Sequence, residues 1–167
     1  MEKTKKITLT AVAIALVFLV TRFIQIPIPL GYFNIGNCVI LLICEMLFPS
    51  AGILAGGLGS ALADLTSYPV YTLPTLVIKT LMPWVYFAIL RSAVGKRRFG
   101  RLLAAAVCTL IPLLGYTLTG MVIAGSVAAG VAQFPGLLME YVANLVFFEV
   151  LFVFVAQNAA LKRALKS

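Results

Sequence analysis

Six stretches of the chain are nearly free of charged residues, and clusters of proline and glycine separate them. Such clusters end helices, and a run of about 20 apolar residues can cross a bilayer core of roughly 30 Å. The pattern predicts an all-α fold, a polytopic membrane protein whose single membrane domain, residues 1–167, is a bundle of six transmembrane helices. The predicted spans are 5–25, 37–48, 50–67, 74–93, 101–126 and 136–160.

The second predicted span is short, because its 12 residues would rise only about 18 Å as an α-helix. It could instead be one half of a broken helix that continues into the third span. The two interpretations differ in the number of membrane crossings, and the positive charges of the chain distinguish between them.

The positive charges are concentrated, since 11 of the 13 Lys and Arg residues fall in three clusters. The clusters are Lys3, Lys5 and Lys6; Arg91, Lys96, Arg97, Arg98 and Arg101; and Lys162, Arg163 and Lys166. Because positive loops stay on the cytoplasmic side, an even number of crossings must separate each pair of clusters. Six spans satisfy this condition and a fused second and third span does not, so both termini are predicted to be cytoplasmic. The net charge of +8 then reports topology, and no nucleic-acid partner is expected.

The composition agrees with a protein embedded in the lipid bilayer. Hydrophobic residues make up 62% of the chain and charged residues 11%, whereas a soluble domain carries about 25% charged residues. The apolar run Ile7–Val20 follows lysines, as in a signal peptide, but no small-residue cleavage pattern comes after it. We therefore expect this run to be a retained first helix.

The chain has no histidine, which removes the commonest general base and the commonest metal ligand. Its three cysteines, Cys38, Cys44 and Cys108, are scattered in apolar runs and are expected to be small buried residues. The sequence also contains no glycine-rich phosphate-binding motif and no nucleophile–base pairing at a workable spacing. It predicts no metal, no cofactor and no enzymatic activity.

Three segments are predicted to be external, namely 26–36, about 67–74 and about 127–135. The first holds two prolines, two glycines, an asparagine and two aromatic residues. A stiff loop of this kind suits a lid over a pocket. The alternative is a connector whose aromatic rings lie at the level of the lipid headgroups.

Several ionisable residues lie within the predicted spans, where such groups usually pair or line a polar cavity. By helix rise, Asp64 lies about 5 Å below the outer end of its helix, and Lys79 and Glu140 about 8 Å. Asn144, four residues from Glu140, lies on the same helix face at about 13 Å. Asp64 and Lys79 flank a short turn, so they could form a structural ion pair, or Lys79 could contact a ligand. Structural or subunit-coupling roles are expected for two further acids, Glu45 and Glu149.

Small residues recur at spacings of four in two predicted helices. Gly52, Gly56 and Ser60 form such a stripe in the third span, and Ala11 and Ala15 form a second pair in the first span. Small residues allow helix backbones to approach closely in lipid. Both stripes therefore predict tight helix contacts.

Four segments together resemble a known family. Gly31–Asn37 fits the pattern G-x-x-N-x-G-(D/N), and Pro49–Leu65 is a glycine- and alanine-rich block that ends in Ala-Asp-Leu. The aromatic turn Tyr68–Tyr71 and the segment Thr75–Lys79, Thr-Leu-Val-Ile-Lys, follow. With the Pro-rich first loop, these motifs resemble the riboflavin-type group of S components, the substrate-binding subunits of energy-coupling-factor (ECF) vitamin transporters.

The sequence departs from the group's pattern at three places. Asn37 stands where the group often has Asp, and Phe48 precedes Pro49 where Gly is usual. The segment 80–82, Thr-Leu-Met, follows the lysine where the group often has Gly-x-Glu. Because that acid is missing, the resemblance does not identify one vitamin.

The resemblance implies a protein of the prokaryotic plasma membrane that captures a vitamin or vitamin precursor outside and reorients to carry it inward. Its partners would be a membrane coupling subunit and two cytoplasmic ATPases, and Ala11 and Ala15 match the alanine motif for docking on that subunit. A pyridoxine- or hydroxymethylpyrimidine-like ring, riboflavin, and pantothenate, whose carboxylate would favour Lys79, are the candidate substrates. The candidate substrate-binding residues are Tyr32, Asn34, Asn37, Tyr71, Lys79, Tyr116, Glu140 and Asn144.

Two other classes of function compete with this interpretation. A stand-alone secondary transporter or channel for a small polar solute would need coupling-ion sites or an internal repeat, and the sequence shows no repeat. A membrane enzyme or assembly scaffold could use the intramembrane acids, but a catalytic pairing is missing. Co-purification with an ATPase complex would separate the S component from both.

Overall fold

The structure is a computed structural model that describes residues 3–28, 30–97 and 99–157. Within these ranges the chain is mostly helical and also forms one short β-hairpin. The helices are α1 (Lys3–Phe23), α2 (Gly36–Met46), α3 (Pro49–Leu54), α4 (Ser60–Ser67), α5 (Thr72–Arg91), α6 (Gly100–Ala124) and α7 (Val127–Gln157). A π-helical segment, Ala55–Gly59, joins α3 to α4 without a break, and a 3-10 turn, Pro69–Tyr71, precedes α5. The hairpin pairs β1 (Ile26–Ile28) with β2 (Gly31–Phe33) in antiparallel register.

The surface of the bundle is the surface of a membrane protein. Many large apolar side chains point outward, among them Val122, Leu73 and Phe23, each more than 70% exposed. Among the described residues, four helical segments are long and apolar enough to span a membrane: Lys3–Phe23, Pro69–Arg91, Gly100–Ala124 and Val127–Gln157. The chain is therefore a membrane protein with at least these four candidate spans.

The second and third predicted spans are separate helices, and the chain reverses between them at residues 47–48. A Cβ added at Gly52 would lie 2.5 Å from the Cys44 Sγ, and one added at Gly56 would lie 3.2 Å from the Ile40 Cγ2. The later glycine in the α3–α4 helix lies beside the earlier residue in α2, so α2 and the α3–α4 helix are antiparallel. The structure thus excludes the single broken helix. It also confirms the close packing predicted for the glycines.

The last helix begins earlier than the sequence predicted. The segment 127–135, expected to be an external loop, forms the first turns of α7. α6 ends at Gly125, whose φ of 60° is left-handed, and the Ser126 Oγ accepts a 3.4 Å hydrogen bond from the Ala129 N–H at the start of α7. Pro135 was read as a break, but a helix among other membrane helices tolerates a proline. The boundary at 136 is corrected to Val127, and Glu140 lies thirteen residues or about 20 Å along the helix, not about 8 Å.

Two of the basic clusters lie at one end of the bundle. Lys6 lies over the Phe48 ring at the α2–α3 turn, 5.9 Å from its centroid. Arg101, at the start of α6, donates a 2.8 Å hydrogen bond to Glu149 near the end of α7. Because successive long helices are antiparallel, the hairpin, the 3-10 turn and the α6–α7 turn lie at the opposite end. Outside the described residues lie Arg98, the third cluster (Lys162, Arg163 and Lys166) and the end of the last span predicted at residue 160.

The core occupies the half of the bundle near the basic clusters. All three cysteines are buried, as predicted, Cys44 and Cys108 within this half and Cys38 at the start of α2 beneath the pocket. Tyr86 is also fully buried, and its hydroxyl donates a hydrogen bond to Glu45. Glu45 and Glu149 thus each bind a partner within the protein and lie away from the polar residues at the hairpin end.

Candidate functional site

A pocket opens at the hairpin end of the bundle, opposite the basic clusters. It encloses about 440 Å³ of empty space, part of it open to solvent. The pocket draws residues from the hairpin and from five helices. Its lining consists of Thr21, Ile28, Leu30, Gly31, Tyr32, Asn34, Ser60, Asp64, Tyr68, Tyr71, Thr75, Lys79, Tyr116, Gln133 and Leu137.

The hairpin covers the pocket. Ile28 packs against Gly136 of α7, where an added Cβ would lie 2.8 Å from the Ile28 Cγ2. The rings of Tyr32 and Tyr68 lie 5.4 Å apart and link the hairpin to the α4 end. The hairpin side chains thus close over the pocket, and a ring-bearing ligand would have to displace them on entry. This arrangement favours the lid over the alternative of a simple connector.

Asp64 is held by hydroxyl groups from two directions. The Tyr32 hydroxyl donates to its Oδ1, and the Thr75 hydroxyl donates to its Oδ2. Thr75 also lies 3.0 Å from the Tyr116 hydroxyl. Burial and the neighbouring Asp64 carboxylate raise the pKa of Tyr32, so this phenol keeps its proton and remains a donor.

Lys79 is buried and binds an amide rather than the predicted acid. Its Nζ donates to the Asn37 Oδ1, and the Asn37 Nδ2 donates in turn to the Glu140 Oε1 at 3.3 Å. Among the residues that the structure describes, no salt bridge joins Lys79 to Asp64. The predicted direct ion pair is corrected: Asp64 accepts from two hydroxyls, and Asn37 stands between Lys79 and Glu140. The Lys79 ammonium also faces the Tyr116 ring, 5.5 Å from its centroid.

Asn144 is fully buried and ties three backbone segments together. Its Oδ1 accepts a 2.8 Å hydrogen bond from the Cys38 N–H in the first turn of α2. Its Nδ2 donates to the carbonyl oxygens of Asn34 and Glu140, both at 2.8 Å. Both of its amide protons are therefore used within the protein, which leaves Asn144 no free donor for a ligand.

The structure divides the eight predicted binding residues into two layers. Tyr32, Asn34, Tyr71, Lys79 and Tyr116 line the pocket. The other three, Asn37, Glu140 and Asn144, lie beneath it, where they hydrogen-bond to the Lys79 ammonium, to the Asn34 side chain and carbonyl, and to the start of α2.

Five lining residues with polar groups were missed by the sequence reasoning. Three of them share a helix face with a residue that was identified, because Ser60 precedes Asp64 by four, Thr75 precedes Lys79 by four and Gln133 precedes Glu140 by seven. Gln133 was missed because its segment was read as a loop. The other two are Thr21 and Tyr68.

The donors at this site do not form a metal centre. No group of three or more His, Cys, Asp or Glu side chains able to hold a metal ion occurs within residues 3–28, 30–97 and 99–157. What the pocket offers is hydrogen-bonding groups, four tyrosines and a few apolar side chains, a lining typical of sites for small organic ligands.

Comparisons with known proteins identify relatives over nearly the whole chain. A family model described as ECF-type riboflavin transporter, S component, matches residues 1–160. A Pyrococcus woesei protein described as an uncharacterized protein in the gap 3′ region is 35% identical over 133 residues, which cover 75% of this chain and 84% of the relative.

The fold is similar to that of a solved structure described as the S component of a bacterial ECF transporter. The TM-score is 0.74 at 17% sequence identity, and the match covers 93% of this chain and 98% of that one. At this identity the likeness shows the fold alone, and the fold agrees with the family match. The family is one of transporter subunits rather than enzymes. The chain therefore belongs to the family of S components of ECF-type riboflavin transporters.

Proposed function

We propose that the chain is the substrate-binding subunit of an ECF-type vitamin transporter and captures a small vitamin or vitamin precursor in the pocket beneath the hairpin. The observation that carries the proposal is the pocket itself, where buried charged and amide groups from α2, α5 and α7 meet under an aromatic lid. Buried ionisable groups within a membrane protein are costly and mark sites of function. The chain itself catalyses no reaction.

The proposed orientation places the pocket outside and the basic clusters in the cytoplasm of a prokaryotic cell. The lysines of α1 and the basic residues around the α5–α6 connection share one end of the bundle, and positive loops stay cytoplasmic. Six crossings of the plasma membrane follow if α2 and the α3–α4 helix each count as one, with both termini in the cytoplasm.

The proposed partners are a membrane coupling subunit and two cytoplasmic ATPases. Ala11 and Ala15 are both exposed on the outer face of α1. They present a smooth, small-residue surface that another helix could approach closely. The partners would supply ATP hydrolysis and drive the reorientation that carries the site inward.

The charge of the site favours an uncharged or cationic ring as the substrate. The buried ionisable groups there are Asp64, Lys79 and Glu140, which leaves one negative charge in excess when all are ionised. One N–H of the Lys79 ammonium already donates to Asn37, and a ligand carboxylate that reached the ammonium would also approach two buried acids, Asp64 and Glu140. Riboflavin or a pyridoxine- or hydroxymethylpyrimidine-like ring fits these conditions better than pantothenate.

Mass spectrometry of the small molecules released from the purified protein tests the proposal. The expected result is one predominant vitamin-like compound at close to one equivalent, which then rebinds in a titration. Co-purification with an ATPase complex, and uptake that depends on it, would distinguish the S component from a stand-alone carrier. Uptake of the compound by this chain without any ATPase would overturn the proposal.

A further inference from the structure

Two buried hydroxyls in the pocket have no hydrogen-bond partner within the protein. The Thr21 Oγ1 and the Ser60 Oγ are both inaccessible to solvent, and neither has a hydrogen-bond partner. The two residues are 2% and 0% exposed. The Tyr71 hydroxyl at the pocket is buried and unpaired as well. Leaving a buried hydroxyl without a partner costs about 1–3 kcal/mol, so three such groups around one pocket indicate a missing partner.

Thr21 does not make the hydrogen bond that several other helical threonines of this protein make. Threonines within helices commonly donate to the carbonyl four residues earlier, and other described helical threonines do so, for example Thr109 to Ala105 at 2.6 Å and Thr117 to Leu113 at 2.7 Å. The Thr21 hydroxyl instead lies beside Gly36, where an added Cβ would be 2.6 Å from it. Its side chain is thus directed toward the pocket wall rather than toward its own helix.

Ser60 is directed into the pocket by the backbone that precedes it. The π-helical segment Ala55–Gly59 ends immediately before Ser60. A π-helical turn contains an extra residue and rotates the following residues around the helix axis, and such turns often occur at functional sites. Ser60 and Asp64, four residues apart, therefore face the pocket together.

We propose that Thr21, Ser60 and Tyr71 form a hydroxyl subsite that recognises an uncharged hydrogen-bonding edge of the substrate, such as hydroxyl or ring-carbonyl groups. This inference rests on the proposed function and adds α1 and α4 to the elements that contact the ligand. A hydroxyl can both donate and accept, so the subsite matches groups of either kind. A carboxylate or phosphate in the same place would lie close to the Asp64 carboxylate, which would repel it.

The test measures ligand affinity and ligand-free stability on the same variants. Riboflavin, pyridoxine and pantothenate are titrated against the parent protein, Thr21→Val, Ser60→Ala and the double variant, with Thr109→Val as a control that removes a buried but paired hydroxyl. The compound that the parent binds should bind about three- to tenfold more weakly to each single variant, and the effects of the double variant should multiply. Thr109→Val should bind it as the parent does.

The unfolding temperature of the ligand-free protein separates recognition from a structural role. Removing an unpaired hydroxyl should leave this temperature unchanged or raise it, whereas Thr109→Val should lower it, because only Thr109 loses a hydrogen bond. Parent-like affinity of the double variant, or a loss of ligand-free stability in Thr21→Val as large as in Thr109→Val, would overturn the subsite. Failure of the parent to bind any of the three compounds counts against the proposed function instead, and the stability comparison still decides whether the hydroxyls are unpaired.

Discussion

At the scale of single residues, the polar centre of the site consists of three buried ionisable side chains that lie close to buried amides and hydroxyls. Asp64, Lys79 and Glu140 stand out in apolar runs because charges are rare there. Thr21 does not stand out, because α1 is apolar on all sides and no periodicity marks its inner face. The sequence also did not reveal which partners meet: Lys79 donates to Asn37 at the start of α2 rather than to Asp64, and Asn37 donates in turn to Glu140.

Replacing Glu140 by glutamine is expected to weaken ligand binding even though Glu140 lies beneath the pocket. Its Oε1 accepts from both Asn34 and Asn37, and it is the acid closest to the Lys79–Asn37 pair. The glutamine oxygen can still accept these bonds but carries no charge, and loss of the charge assistance, about 1.5–3 kcal/mol, should weaken the affinity roughly tenfold to hundredfold. Glu149→Gln, which removes only a partly exposed pair with Arg101, should change the affinity far less in the same titration. A larger effect at Glu149 would place the pocket on the wrong part of α7.

Asn37→Asp places an acid between Lys79 and Glu140, and we expect it to destabilise this protein. Aspartate would attract Lys79 but would also place a second carboxylate 3.3 Å from Glu140, where Asn37 now donates. The expected loss is about 1–3 kcal/mol of unfolding free energy. Adding Glu140→Gln should restore most of it, because the glutamine amide can donate to the new acid. Additive losses in the double variant, measured by thermal unfolding, would show that the two side chains do not interact.

At the scale of elements, the sequence predicted where the helices lie better than it predicted the residues at which they begin and end. The third span, 50–67, matches the continuous helix of α3, the π-helical segment and α4 within one residue at its start. The start of α7 was missed by nine residues. A proline followed by a glycine usually indicates a loop, but Pro135 and Gly136 lie within a helix whose Gly136 packs against Ile28. The β-hairpin was read only as a stiff loop, since its pairing depends on how the chain reverses between β1 and β2.

The π-helical segment is expected to tolerate no side chain at Gly56. A Cβ there would lie 2.6 Å from the carbonyl oxygen of Lys79, which is backbone and cannot move aside. Gly56→Ala should therefore cost about 1–3 kcal/mol of stability through overpacking, seen as a lower unfolding temperature. Gly31→Ala is the control, because nothing lies within 4 Å of a Cβ at that position. Equal unfolding temperatures for the two variants would contradict the close approach of α5 to this segment.

The outer face of α1, at Ala11 and Ala15, is expected to contact the coupling subunit. Ala11→Trp or Ala15→Trp should abolish uptake with the coupling module while ligand binding stays intact, because both positions are exposed and distant from the pocket. A bulky ring would hold apart helices that small residues allow to meet. Leu118→Trp, on the lipid-facing side of α6, serves as the control for adding a tryptophan to the surface. Normal uptake by both alanine variants would remove this face from the docking surface.

At the scale of the whole molecule, the pocket and the basic clusters lie at opposite ends of the bundle. The pocket, the hairpin and the α6–α7 turn lie at one end, and the basic residues of α1 and of the α5–α6 connection lie at the other. The charge clusters made this separation predictable, because a membrane imposes it on any sequence of this kind. The closure of the pocket was not predictable, since it depends on how the hairpin packs on α7.

Reporter fusions test the topology that the proposed function requires. A reporter at Gly95, in the α5–α6 connection, should read cytoplasmic, and reporters at Ser67 and at Ser126, in the turns at the pocket end, should read external. Val131, which the sequence alone would have placed in an external loop, lies within α7 and makes a poor fusion point. The expectation rests on a strong positive-inside signal, the cluster of five basic residues in the sequence around one connection: Arg91, Lys96, Arg97, Arg98 and Arg101. An external signal at Gly95 together with a cytoplasmic one at Ser67 would mean that the molecule has the opposite orientation. The pocket would then face the cell interior, where it could not capture a substrate from outside.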